Sequence, residues 1–177
     1  FNRALSAARP IGSLIKPPIY AQALAGGYTL GSMIDDKPIR LRNEGGSVWE
    51  PKNYDRQFRG QVMLVDALAK SLNVPTVNLG MAVGIEKVIK GLNQMGVQQM
   101  IPAYPSLMLG TLELSPLEVN QLYLTLANQG LYQPLTSIRA IQDDNGELLY
   151  QHNAKANRVL AEDAGYLALY GMTKVVA

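Results

Sequence analysis

Ser13-Leu14-Ile15-Lys16 sets a hydroxyl and an amine three residues apart. On a helix such residues share a face, with β-carbons roughly 5–6 Å apart. A serine hydroxyl is a weak nucleophile until a neighbour takes its proton. A lysine can do so only when neutral, and both burial and the positive end of a helix dipole push its pKa down. The pair therefore reads as nucleophile and base. A plainer reading stands beside it. Ser-x-x-Lys is short enough that about one chance match is expected in a chain of this size, and a serine at a helix start is usually an N-cap.

Ser71-Leu72-Asn73 lies at a break between two helical stretches. Such a break would expose both polar side chains on a loop. Ser71 could relay a proton, and Asn73 could hold a substrate amide through its donor and acceptor. Capping accounts equally well for Ser and Asn at helix ends. Other groups carry less. His152 is the only histidine; it completes no Ser-His-Asp triad or histidine-pair metal site and reads as an exposed hairpin-end residue. Asp35-Asp36 and Asp143-Asp144 read as solvated turn formers. The Leu122, Tyr123, Leu126 stripe reads as core, and Met95, Met100 and Met108 as fillers between helices.

These residues need elements to position them. Residues 1–12, with Pro10 and Gly12, read as a lead-in loop. A helix is predicted from Ser13 to about Ala25, ended by Gly26-Gly27. Pro17 and Pro18 are tolerable near its first turn, where amide donors are unpaired anyway. Residues 28–60 read as loops with short strands. Val62, Leu64, Val65, Leu68, Ala69 and Leu72 give helical spacing over Gln61–Leu72. Asn73 breaks it, and Pro75 restarts a helix reaching about Val83. Ile85–Met95 is a further helix, closed by Gly96. Ser115-Pro116-Leu117-Glu118 is a capping box with proline at the first helical position, and Gly130 can end the helix behind it. Asn145-Gly146 marks a hairpin within 136–151. A last helix begins near Ala161-Glu162-Asp163 and is predicted to reach the chain end, with Lys174-Val175-Val176-Ala177 mid-helix.

The 177 residues are 47% hydrophobic and 17% charged, a globular composition. Sixteen basic and fourteen acidic residues leave a net charge of +2, with no basic run, so a nucleic-acid groove is not expected. There are no cysteines, which excludes disulfides, thiol nucleophiles and cysteine zinc sites. No stretch is apolar for long enough to cross a membrane. A chain running from Phe1 to a mid-helix end is expected to be a piece of a longer protein.

In order, the strings resemble one family. Ser-x-x-Lys followed by Ser-x-Asn is the pattern of penicillin-recognising acyl-serine enzymes. Arg9-Pro10-Ile11-Gly12-Ser13-Leu14-Ile15-Lys16-Pro17 resembles the nucleophile segment of class A penicillin-binding proteins. Val48-Trp49-Glu50-Pro51-Lys52-Asn53 resembles their stretch between the first two motifs. Ser71-Leu72-Asn73-Val74-Pro75-Thr76-Val77-Asn78-Leu79-Gly80 resembles the second motif with its flank. Leu109-Gly110, Ser115-Pro116-Leu117-Glu118 and Ala127-Asn128-Gln129-Gly130 resemble a later helix of the class. The resemblance implies an α/β penicillin-binding, serine β-lactamase-like transpeptidase fold. Residues 1–177 would be part of that domain, mainly its helical middle plus a β-hairpin, without most of the central sheet.

The resemblance also implies the chemistry. Ser13 would attack the penultimate D-alanine carbonyl of a peptidoglycan stem peptide, Lys16 would take its proton, and the terminal D-alanine would leave. Ser71 would relay the proton, with Lys16, to the leaving amine. Asn73 would hold the substrate amide, and the Ser13 N–H would be one oxyanion donor. A second stem-peptide amine would resolve the acyl-enzyme into a cross-link, and β-lactams would acylate Ser13 instead. No metal or cofactor is implied. The whole protein would also be a glycosyltransferase using a lipid-linked precursor. It would be anchored at the periplasmic face of the bacterial inner membrane, with an outer-membrane lipoprotein activator and division proteins as partners.

The chain departs from the family pattern in one respect. The third motif, Lys-Thr-Gly or Lys-Ser-Gly, does not occur, and Thr173-Lys174 is not it. That motif would supply the second oxyanion donor and the substrate-carboxylate contact. Leu72 replaces the aspartate of the Ser-Asp-Asn found in class A β-lactamases, and a capping role explains Glu118, so efficient antibiotic hydrolysis is not expected. The alternative function is non-catalytic: a β-lactam-sensing or partner-binding module, or a fragment inert as cut. Such a cut would expose apolar surface and promote self-association.

Overall fold

The computed structural model describes residues 2–42 and 46–176. A short helix α1 (Arg3–Ser6) and strand β1 (Arg9–Pro10) lead into a 3-10 turn (Gly12–Ile15) and helix α2 (Lys16–Ala25). Then come β2 (Met33–Asp36), β3 (Leu41–Arg42), β4 (Val48–Trp49), β5 (Gly60–Met63), α3 (Leu64–Ala69), α4 (Asn73–Val83) and α5 (Ile85–Gln94). A second 3-10 turn (Pro105–Leu109) precedes β6 (Glu113–Leu114), α6 (Pro116–Ala127), β7 (Leu131–Tyr132), β8 (Ala140–Gln142), β9 (Leu148–Gln151), β10 (Asn157–Arg158) and α7 (Glu162–Thr173). Among the described residues the strands form antiparallel pairs only: β1–β6, β2–β5, β3–β4, β7–β10 and β8–β9.

Helix α2 is the hub. Every residue in it except Gln22 and Ala25 is buried, and it packs against α3, α4, α5, α6 and α7. A helix apolar all round belongs inside, and Ala21 and Ala23 let its neighbours come close. Pro17 and Pro18 fall in its first turn, where no amide donor is lost.

Several expectations are corrected. Residues 1–12 are not all loop: β1 pairs Arg9 with Leu114 and Pro10 with Glu113, partners over a hundred residues on. The first turn after Gly12 is 3-10, and the α-helix starts at Lys16. Gln61–Met63 is strand, because Ile34 and its neighbours offer a ladder partner, and the helix begins only at Leu64. Asn73 opens α4 rather than standing on a loop. Asp36 is fully buried in β2, not solvated, held by Asn53 and Arg59. Met100 is 92% exposed, unlike the buried Met95 and Met108. His152 is partly buried. Helix α7 stops at Thr173; Lys174 and Val175 turn back onto the carbonyls of Gly171 and Met172. Ala177 lies outside the described residues.

Other readings hold. Ser115 Oγ accepts from Glu118 N and the Glu118 carboxylate accepts from Ser115 N, closing the capping box. Gly130 is left-handed at φ 84°. Asp143 accepts from the Asn145 and Glu147 amides and so shapes the β8–β9 turn. Ser115→Ala is expected to cost about 1 kcal/mol, read as a lower urea midpoint at unchanged slope.

Candidate active site

Ser13 and Lys16 come from the junction of the 3-10 turn and α2, and Ser71 and Asn73 from the junction of α3 and α4. Packing of α2 on α3 and α4 brings them together. Lys16 Nζ donates to three neutral acceptors: Ser71 O at 2.6 Å, Asn73 Oδ1 at 2.8 Å and Ser71 Oγ at 3.0 Å. Ser71 Oγ in turn donates to Ser13 Oγ at 3.2 Å. The hydroxyl of Ser71 thus bridges the amine to the hydroxyl of Ser13. Lys16 is 2% exposed, while Ser13 is open to solvent. Burial lowers the Lys16 pKa to about 8 from the usual 10.5.

The elbow that carries Ser71 has a local cause. Ser71 N bonds Leu68 O and Leu72 N bonds Ala67 O, the paired bonds that end a helix in a Schellman turn. Ser71 takes the left-handed position at φ 50°, where glycine is usual. The strain is about 1 kcal/mol, and in return the turn aims both Ser71 O and Oγ at Lys16. Leu72 is buried and anchors the turn. Behind it, Thr76 Oγ1 donates to Leu72 O at 2.6 Å and meets the buried Tyr20 hydroxyl at 3.0 Å. Burial raises the Tyr20 pKa, so it stays neutral.

On the other side, Ser13 is held by its flanks. Ile11 N bonds Leu112 O and Gly12 N bonds Gly110 O, both at 3.0 Å. Tyr123 of α6 donates its hydroxyl to Leu14 O at 3.2 Å, and burial pushes its pKa up to about 12. The core stripe expected of Leu122, Tyr123 and Leu126 therefore also reaches the Ser13 segment through the Tyr123 hydroxyl. Asn73 differs in part from expectation: its Oδ1 is taken by Lys16, and one Nδ2 hydrogen bonds Lys52 O at 3.0 Å. Its second Nδ2 hydrogen has no partner among the described residues. Asn53, at the end of the Val48–Asn53 string, carries no signal of a role in the sequence; it bonds the Asn73 and Val74 amides. Among the described residues no cluster of His, Cys, Asp and Glu could hold a metal, and no helix is long and apolar enough to cross a membrane.

A solvent-facing serine, a buried lysine and a bridging Ser-x-Asn elbow thus sit together on this helical frame. The sequence matches the family described as penicillin binding protein transpeptidase domain over residues 1–177, and the chain belongs to that family. It is 45% identical over 179 residues to penicillin-binding protein 1B of Haemophilus influenzae, covering 99% of this chain and 23% of that protein. It is 44% identical to penicillin-binding protein 1B of Escherichia coli over 181 residues, 99% of this chain and 21% of that protein. The chain thus spans under a quarter of these relatives' length. The crystal structure of penicillin-binding protein 1A from Haemophilus influenzae superposes with TM-score 0.90 at 27% identity, covering 99% of this chain and 31% of that one. An imipenem acyl-enzyme complex of penicillin-binding protein A from M. tuberculosis shares the fold, with TM-score 0.82 at 21% identity over 99% of this chain and 45% of that one. The expected transpeptidase fold, represented here by helices and short strand pairs, is borne out.

Proposed function

We propose that residues 1–177 form part of a peptidoglycan D,D-transpeptidase domain that works through an acyl-enzyme on Ser13. The carrying observation is the hydrogen-bonded path from buried Lys16 through Ser71 to exposed Ser13. With Lys16 neutral, the path runs the other way: Ser13 donates to Ser71, and Ser71 to Lys16 Nζ. Ser13 Oγ then bonds the penultimate D-alanine carbonyl carbon. As the C–N bond breaks, Lys16 returns the proton through Ser71 to the departing amine of terminal D-alanine. The amine of a second stem peptide attacks the ester, releases Ser13 and leaves an amide cross-link. Asn73, with its remaining N–H, holds the stem-peptide amide. The Ser13 N–H is one oxyanion donor, and the family's third motif supplies the other. β-Lactams enter the same path and stay as esters.

Likeness to penicillin-binding protein 1B and to an imipenem acyl-enzyme of penicillin-binding protein A supports this reading. For the whole protein the proposal extends to glycosyltransferase activity on a lipid-linked precursor. It also extends to a place at the periplasmic face of the inner membrane, with a lipoprotein activator and division proteins as partners.

The test is covalent labelling of the whole protein with a penicillin, read by intact mass and peptide mapping. One adduct, mapped to the peptide holding Ser13 and lost in Ser13→Ala, is expected. An adduct that survives Ser13→Ala, or no adduct at all, would leave Ser13 a turn residue only.

A further inference from the structure

Asn53 makes every hydrogen bond an asparagine side chain can make. Its Oδ1 accepts from the amides of Asn73 and Val74, both at 3.0 Å. Its Nδ2 donates to Asp36 Oδ1 at 2.7 Å and to Gln57 O at 2.8 Å. Asn53 is 3% exposed and Asp36 0%. Asp36 is fixed in turn, its other oxygen accepting from Arg59 N at 3.1 Å and Nη1 at 3.4 Å.

The need for this arrangement follows from the elbow. Helix α4 starts with orphan amides, as every helix does. Its N-cap position is Leu72, which has no side-chain acceptor and is committed to the core. The cap is therefore delegated to a residue twenty positions before Asn73. That residue also sets Lys52, whose carbonyl binds the Asn73 side chain at 3.0 Å. The same short stretch thus holds Asn73 by its backbone and by its amide, and Asn73 Oδ1 meets Lys16.

We infer that the buried Asp36–Asn53 pair positions the Ser71–Asn73 elbow against Lys16, making both of them positioning residues for the reaction at Ser13. This rests on the acyl-serine reading above. The charge of Asp36 orients the Asn53 amide, so that its oxygen rather than its nitrogen faces the α4 amides. Reversing that amide would set N–H against N–H at the start of α4 and loosen Asn73. A plain helix cap would affect stability alone; this one is tied to residues that contact the reacting groups.

The test uses the whole protein and a fluorescent penicillin, separating the first-order acylation constant from the half-saturating concentration. Melting is followed in parallel, and rates are taken well below every transition. Asn53→Asp keeps the acceptor but sets two carboxylates together. It is expected to lower the acylation constant about 10- to 100-fold, since small misplacements of a site cost that much. The half-saturating concentration should rise by less than the constant falls, because Asn73 also holds the ligand amide. The swap Asp36→Asn with Asn53→Asp restores the donor–acceptor pair between the two side chains, though the new carboxylate still faces Gln57 O, and should raise the constant at least about fivefold above the single variant. If Asn53→Asp does not fold, Asp36→Asn alone serves, with a fall of at least about fivefold expected. A constant within twofold of the parent in the folded single variant, with the adduct still on Ser13, overturns the inference. So does a swap that melts like the parent yet acylates no faster than the single variant. A parent protein that gives no Ser13 adduct overturns the acyl-serine reading itself, and the inference with it.

Discussion

Lys16→Met is expected to slow acylation of Ser13 by about 10²- to 10⁴-fold, the usual contribution of a positioned general base. Methionine keeps an unbranched stem in the buried space and removes only the amine. The cause is local, because Lys16 reaches Ser13 through Ser71 and its three acceptors are all neutral. The intact protein carries a matching pH signature. With the Lys16 pKa lowered to about 8 by burial, about a tenth of the molecules hold a neutral amine at pH 7 and about nine-tenths at pH 9. Acylation should therefore rise roughly tenfold between those values and level off above them. In stability the sign is equally definite. The folded pKa lies below the unfolded one, so the unfolded chain binds more protons between about pH 8 and 10.5. This group's penalty to the fold is fully present below pH 8 and fades as pH rises to 10.5. Acylation kinetics from pH 6 to 10 check the first part. A flat profile, or a Lys16→Met rate within about threefold of the parent, would remove Lys16 as the base.

Gly110→Ala is expected to destabilise the fold by about 2–4 kcal/mol and to cut acylation roughly 100-fold. Gly110 is left-handed at φ 74°, and a β-carbon there would lie 2.0 Å from Gly12 O and 2.5 Å from Gly12 N. Both are backbone atoms that cannot rotate aside. Relief requires β1 and the 3-10 turn to move off Gly110, breaking the Gly12 N to Gly110 O bond and shifting Ser13. Gly146→Ala is the control. Gly146 is also left-handed, at φ 84°, but its β-carbon would meet open space. It should cost only about 1 kcal/mol of backbone strain and leave acylation unchanged. Thermal melts and penicillin labelling of both variants separate close approach from conformation. Equal losses in the two would dismiss the steric account.

Elements with chemical punctuation at their ends were legible from the residues. The capping box at Ser115, the Asn145-Gly146 turn and Gly96 each state a boundary within a few residues. The Ser13/Lys16 and Ser71/Asn73 spacing was legible too, as was the family. What escaped depends on partners distant in sequence. Strand β1 exists only because Glu113 and Leu114 pair with it. Gln61, Val62 and Met63 fit both a helix and a strand, and the ladder with β2 decides between them. Asp36 looked solvated because Asp-Asp usually marks a turn; its partners Asn53 and Arg59 lie 17 and 23 residues on. The left-handed Ser71 was hidden because glycine, not serine, signals that conformation.

The anchoring of Ser13 also sets an order of events in time. Its neighbours Gly12 and Leu14 are held by Gly110 and by Tyr123, the latter 109 residues further along the chain. Contacts of such long sequence separation close late in folding, because loop entropy must be overcome first. At about 5–20 residues per second, the chain needs roughly 5–20 s after Ser13 is made to reach Tyr123. Through that interval the segment around Ser13 lacks these holds, so a newly made chain fixes Ser13 in place only once the later helices have docked.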